Sequence, residues 1–209
     1  MRLDHVSYAC APEQLAEVVQ RIGSDLGAAF TDGGIHPTFG TRNFILPLSD
    51  ATYIEVVAAL DHPAADKAPF GQAVRRRAEQ GGGWLCWVVA VDDISPVEAR
   101  LGRASVPGHR VRPDGVELRW RQIGVQGVLE DPELPYFVQW DPRVEHPSGQ
   151  GNEVRLASLE ICGDPGTVRA WLDADDDELT GSSISWVDAD EPGLMACTFL
   201  TPRGFVRID

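Results

Sequence analysis

The chain repeats a unit of strand, helix and further strands, and such a unit can bury its apolar face only against a neighbouring copy. The first copy opens with LDHVSYAC, Leu3 to Cys10. Pro12 to Ile22 follows with Leu15, Val18, Val19 and Ile22 at helical spacing, and Gly23 is expected to end that helix. The turn-rich passage IHPTFGTRNFILPLSD leads into a strand over Asn43 to Leu48, and Thr52 to Ala58 makes the next. Residues 1–60 therefore read β-α-β-β-β. Residues 61–83 read as a linker with a short helix around Phe70 to Glu79, ended by Gly81, Gly82 and Gly83. Those glycines are not a phosphate loop, because no GK[ST] follows and a strand comes next. Residues 84–141 return to the first pattern: GWLCWVVAVDDI as a strand, a helix opening at Ser95 with Pro96 at its first position, then the strands GVELRWRQIG and LPYFVQWD. A third copy spans residues 152–209, with EVRLASLEICGDPGTVRAWL as strand and helix and SISWVDA, LMACTFL and GFVRI as strands.

Side chains alternate along a strand, so His5, Ser7 and Ala9 share one face while Val6, Tyr8 and Cys10 share the other. TYIEVVA repeats the pattern with Glu55 as the one charge in an apolar run, and a carboxylate there needs a compensating partner. A metal ion bridging His5 and Glu55 would supply it; a plain His–Glu hydrogen bond in a packed sheet gives the same sequence. Setting Ala90 to Ala99 beside Ala9 to Glu17 with a one-residue gap puts Cys86 opposite His5. Setting YFVQW beside YIEVV with a one-residue shift puts Gln139 opposite Glu55. In the third copy Ala157 and Val206 take those places, so it offers no ligands and is expected to supply structure, as a lid or a sheet partner.

A formal net charge of −14, from 32 acidic against 18 basic residues, argues against nucleic acid or an anionic membrane surface as partner. The acidic run Asp173 to Glu178 reads as a solvated loop, since the alternating ligands and central glycine of an EF-hand are missing. No segment reaches the roughly eighteen continuous apolar residues of a membrane span, and no basic-then-apolar signal opens the chain. The expectation is a cytoplasmic protein. Cys10, Cys86, Cys162 and Cys197 are widely spaced, show no CxxC, and read as free thiols.

LDHVSYA with its helix, HPTFGTRNFILPL, TYIEVVA, GGGWLCWVVAVDDI, RPDGVELRWR and LPYFVQWD, in that order over Leu3 to Asp141, resemble the glyoxalase-like domain proteins of the vicinal oxygen chelate superfamily. The resemblance implies an α+β fold of paired βαβββ modules forming a cupped half-barrel, here followed by a third βαβββ-like C-terminal extension. It also implies a divalent metal ion in the cup, on ligands from the first and last strands of each module. Those positions are His5 and Glu55, then Cys86 and Gln139, where the usual residues are His and Glu. The superfamily includes isomerases, ring-cleaving dioxygenases, epimerases, thiol transferases and metal-free drug-binding proteins, so the likeness does not choose a reaction.

An ion on one imidazole, one carboxylate, an amide oxygen and waters suits Zn, Mn, Fe, Ni or Co and leaves positions open for two adjacent oxygens of a small-molecule substrate. Cys86 as thiolate would favour zinc, although a cysteine between Leu85 and Trp87 also reads as core. His36, in HPTFG, either faces substrate or caps a turn beside Pro37. Arg42 and Asn43 reach an anionic substrate or only its edge. Glu117, Arg119 and Arg121 share a strand face; they either line a polar cavity, with Glu117 as acid or base and Arg119 as carboxylate clamp, or form a solvent-facing ladder. His146 folds over the cup's mouth or stays in a surface loop, and Trp120 or Trp140 could wall an apolar pocket. The expected function is a metal-dependent lyase, isomerase or dioxygenase acting on a small oxygenated molecule. The alternatives are a metal-free protein that sequesters a hydrophobic compound and a plain interaction domain, and a homodimer is compatible with each.

Overall fold

The computed structural model of the chain describes every residue except Pro113, Gln150, Asp176, Asp177 and Glu178, so the end of the acidic run lies outside the described residues. Strand β1 (Arg2–Ala9) is buried along nearly its whole length because it runs through the middle of an eight-stranded sheet. After it come α1 (Leu15–Leu26), β2 (Thr31–His36), β3 (Thr41–Pro47) and β4 (Tyr53–Ala59), then the helices α2 (Pro63–Lys67) and α3 (Pro69–Glu79). The second copy supplies β5 (Gly83–Ala90), α4 (Ser95–Leu101), β6 (Val106–Val111), β7 (Glu117–Ile123) and β8 (Tyr136–Trp140). The strand order is β2-β3-β4-β1-β5-β8-β7-β6, with β1 parallel to β4 and antiparallel to β5. The central strands are apolar on both faces because both are covered, as in sheets packed on two sides. The sheet curls until its two edges meet: Arg110 Nη1 on β6 donates to the Gly33 carbonyl on β2 at 2.7 Å. The result is the expected α+β cup.

Three local expectations needed correction. Helix α1 runs through Gly23 and ends at Gly27, which takes the left-handed conformation with φ 68°. Gly23 is instead a close-approach site, where a Cβ would come within 2.8 Å of the Ala28 carbonyl oxygen. The linker holds two helices, because Pro63 and Pro69 each open one and the His62 ring caps α2 by accepting from the Ala64 N–H at 3.1 Å. Strand β6 carries Pro107 and Gly108, breakers that hide it in the sequence. It survives as an edge strand, where a proline need not sacrifice a ladder bond, and Gly108 leaves room for the Trp120 ring.

The last quarter forms β9 (Arg155–Cys162), α5 (Pro165–Leu172), β10 (Ser183–Val187), β11 (Gly193–Thr201) and β12 (Gly204–Ile208), in a sheet ordered β10-β9-β11-β12. This sheet backs the outer face of the cup: Leu156, Leu159, Ile161 and Phe199 share one core with Leu3, Val6, Ile22, Trp87 and Val89. Trp84 ties the two sheets by donating from Nε1 to the Ile208 carbonyl at 2.9 Å and packing its ring 6.4 Å from Phe199. All four cysteines are free. Among the described residues no helix is long and apolar enough to cross a membrane.

Because the two sheets share a core, they are expected to melt together. Trp84→Ala should lower the unfolding free energy by about 3–5 kcal/mol in urea titrations, still in one transition. A separate early transition of the C-terminal sheet would show that the shared core does not couple them.

Candidate functional site

The concave face of the sheet surrounds a cavity of about 30 Å³, into which β1, β2, β3, β4, β6, β7 and β8 all contribute side chains. His5, His36, Asn43, Tyr53, Glu55, Arg110, Gln122 and Tyr136 supply its polar groups, and Phe39, Phe70, Trp120 and Trp140 wall it.

Glu55 stands at the centre. The parallel β1–β4 register sets it beside Ser7, whose hydroxyl donates to Oε2 at 2.6 Å. Asn43 donates from Nδ2 to Oε1 at 2.5 Å and accepts from Arg110 Nη1 on its own Oδ1 at 3.0 Å. Burial pushes the Glu55 carboxyl up, but its electrostatic interactions with His5 and His36 and the bonds from Ser7 and Asn43 outweigh it and hold the group below the usual carboxylate range. Burial lowers Arg110, against the pull of Tyr53 and Glu55, and a guanidinium so placed stays charged. Arg110 went unrecognised in the sequence because β6 did.

His5 stacks on Tyr53 with ring centroids 4.4 Å apart, as their cross-strand pairing requires. Its Nδ1 meets Asp4 Oδ2 at 2.8 Å and its Nε2 lies 3.3 Å from the Tyr136 hydroxyl. Asp4 is fully buried and also accepts from His146 Nε2 at 2.9 Å and Trp140 Nε1 at 3.1 Å. Burial would raise the Asp4 carboxyl; the hydrogen bonds from His146 and His5 override it and keep the group strongly acidic. An ionised carboxylate only accepts, so Nδ1 of His5 donates to Asp4, and Nε2 is the ring nitrogen that faces the cavity. Strict alternation would send Asp4 and His5 to opposite faces, but the β1–β5 register shifts between Leu3 and His5. That bulge re-aims the Asp4 side chain. His146 thus closes onto Asp4 from the loop after β8.

His36 lines the cavity at the end of β2, with Nδ1 3.2 Å from the Thr41 hydroxyl. Burial brings its pKa down to about 4, against the pull of Glu55, so the ring is neutral near pH 7. The other expected residues lie elsewhere. Glu117 and Arg119 are on the outer face, 2.8 Å apart, with His109 3.1 Å from Glu117; Arg121 pairs with Glu98 there at 2.8 Å. This is the solvent-facing ladder, and Trp120 and Gln122 from the same strand face inward. Gln139 also points outward, donating to the Asp92 carbonyl at 2.8 Å and accepting from Ile94 N–H at 3.2 Å, while its neighbour Val138 lines the cavity. Cys86 is fully buried in the core opposite Ser7, and burial reinforced by Glu55 pushes its thiol far up, so it stays protonated. Arg42 pairs with Asp32 at 2.8 Å near the surface.

His5 and Glu55 share the cavity, but the donor set does not fit a metal ion. Both Glu55 oxygens already accept hydrogen bonds, Gln139 is turned away, Cys86 beside Ser7 stays a protonated thiol, and the Arg110 guanidinium brings a fixed positive charge near the same carboxylate. Among the described residues no three His, Cys, Asp or Glu side chains converge as ligands.

Residues 3–175 match the family model of the glyoxalase-like domain. Of solved structures, a hypothetical protein from Staphylococcus aureus superposes with a TM-score of 0.72 at 14% identity, over 100% of this chain and 98% of that one. The shared fold therefore includes the C-terminal sheet. Methylmalonyl-CoA epimerases from Mycobacterium tuberculosis and Streptomyces coelicolor superpose with TM-scores of 0.45 and 0.47, at 17% and 15% identity. They cover 68% and 69% of this chain, and 89% and 99% of their own lengths are matched. No curated protein matches by sequence.

Between pH 6.5 and about 4 the unfolded chain protonates His36 while the folded ring refuses the proton. The unfolded state then binds more protons, so stability rises with pH across this window and falls on acidification. His36 alone should account for up to about 3 kcal/mol of that loss. Urea titrations at stepped pH should give His36→Gln a flatter stability profile between those limits, and an unchanged slope would show that His36 is not the group responsible.

Proposed function

Because the chain belongs to the glyoxalase-like domain family, we propose that its cavity is an active site for proton transfer next to a carbonyl in a small oxygenated organic acid, working without a metal ion. The observation that supports this is the set of charged and basic groups sealed in the cup: Glu55, Arg110 and the Asp4-braced His5 are each 5% exposed or less. Burying such groups is costly for a fold, and clusters of them with shifted acidity mark sites where chemistry needs them.

Each residue has a role in this reading. His5 Nε2 takes the proton from the carbon beside the carbonyl, with Asp4 fixing the ring and stabilising it once charged. The C–H electrons move to the carbonyl oxygen, and Arg110 faces the oxyanion that develops. Burial raises Tyr53 and Tyr136 well above the ordinary phenol range, so both remain hydrogen-bond donors. Glu55, held ionised, is a positioning residue that fixes Asn43 and through it Arg110. Return of the proton from His5 to the same or the neighbouring carbon gives isomerase or epimerase chemistry; departure of a group from the adjacent carbon gives a lyase. A cavity of about 30 Å³ holds only one or two waters, so substrate enters when Phe39, Phe70 or Trp120 swings aside. The second reading, a metal-free binder, draws on that same tight enclosure and predicts binding without turnover.

Deuterium wash-in at carbon, followed by proton NMR in D₂O over a panel of short and medium-chain oxo acids, tests this. The wild-type chain should catalyse exchange with EDTA present, and His5→Asn or Arg110→Met should slow it by about a hundredfold or more. Exchange abolished by EDTA would restore the metal-dependent reading, and its absence across the panel would leave the binder.

A further inference from the structure

Phe39, Phe70, Gln122 and Val125 line the cavity on one side and a second, much larger pocket of about 640 Å³ on the other. That volume lies in the range of small-molecule sites. Beyond this partition the pocket is walled by the α2–α3 junction and by the segment that follows β7, and most of its surface is apolar. Its two charged lining residues are both cations, Lys67 and Arg103, in a chain of net charge −14. Lys67 is the chain's single lysine. Neither cation is held in an ion pair among the described residues: the adjacent Asp66 is taken by Arg75 at 2.5 Å, and Arg103 lies over the Trp171 ring at 5.6 Å.

We infer that this pocket binds the body of an amphiphilic organic anion, with an apolar chain against Phe39, Phe70, Ile123 and Val125 and a carboxylate at Lys67 and Arg103. The inference rests on the proposed function for one point only, that the far end of the ligand is the carbonyl that passes the aromatic partition. The substrate class is then an oxo acid long enough to span both compartments. Two cations without a carboxylate partner on an otherwise apolar wall favour a charged end over a neutral one, because only an anion would pair with them.

Isothermal titration of the full chain with octanoate and with 1-octanol tests the pocket without requiring turnover. Octanoate should bind the wild-type chain more tightly than octanol, and Lys67→Glu combined with Arg103→Glu should weaken octanoate by about tenfold while leaving octanol unchanged. Both side chains are exposed, so the double variant should fold as the wild type does, which circular dichroism checks. Equal binding of the two probes, octanoate binding unaffected by the charge reversal, or no binding of octanoate would each overturn the inference. Selective octanoate binding with no carbon exchange on the oxo-acid panel would sink the proton-transfer reading and leave this pocket standing; exchange without selective octanoate binding would do the reverse.

Discussion

A carboxylate buried in the middle of an apolar sheet is the constraint around which the cup is arranged. Glu55 cannot stay ionised at 5% exposure without partners, and the partners come from across the barrel. Ser7 reaches it from β1 and Asn43 from β3; Asn43 in turn holds Arg110 of β6, and Arg110 grips the Gly33 carbonyl of β2. One chain of hydrogen bonds therefore satisfies the acid and also joins the two edges of the sheet. Gly33 is where that closure demands a glycine. A Cβ there would collide with the Asn43 amide and come within 2.8 Å of Arg110 Nη1, and the β2–β3 register shifts at this point to let the strands approach. Unpaired edges are otherwise a hazard for a sheet this size, so the polar interior serves the architecture directly.

The part of the site legible in the sequence was the part that obeys strict alternation. His5, Ser7 and Glu55 lie where a period of two puts them, and apolar periodicity located the central strands and α1. What failed, failed for identifiable reasons. Asp4 was hidden by the bulge in β1, a feature that alternation cannot express. Arg110 was hidden by Pro107 and Gly108, which disguise an edge strand as a turn. Glu117 and Arg119 went to the wrong side because a strand pattern gives two faces but does not say which is inside, and Trp120 and Gln122 occupied the inner one. A one-residue choice of register flips every side chain of a strand.

The same arithmetic explains Gln139 and Cys86. In the sheet, His5 pairs with Val88 across the central antiparallel contact, and the parallel pairs on either side match Tyr53 to His5 and Tyr136 to Val88. The two copies therefore align without a gap: Val88 stands for His5, Tyr136 for Tyr53 and Val138 for Glu55. At these positions the duplication has diverged: the first copy carries the imidazole and the carboxylate where the second carries two valines, while the second supplies Arg110, Gln122, Trp120 and Trp140 to the same cavity. In the proposed reading, a bound molecule meets His5 on one side of this pseudo-symmetric cup and Arg110 on the other, and this unequal lining fixes its orientation.

That asymmetry also bears on how an anion reaches the interior of an acidic protein. The net charge of −14 sets up a repulsive field at long range, but at physiological salt screening confines each surface charge to about 8 Å. The charged residues that line the larger pocket are the cations Lys67 and Arg103, and Arg110 lies inside the partition. Glu55 lies in the same cavity and keeps its charge, which Ser7 and Asn43 stabilise and which Arg110 offsets from the far side of the Asn43 amide. The route from the pocket mouth to His5 is thus lined by three cations against one carboxylate, although the molecule as a whole is acidic. Between the two compartments Phe70 and Trp120 pack on Phe39 with ring centroids 6.1 and 6.5 Å away, in edge-on and tilted contacts, and in the proposed reading a rotamer change there admits the ligand.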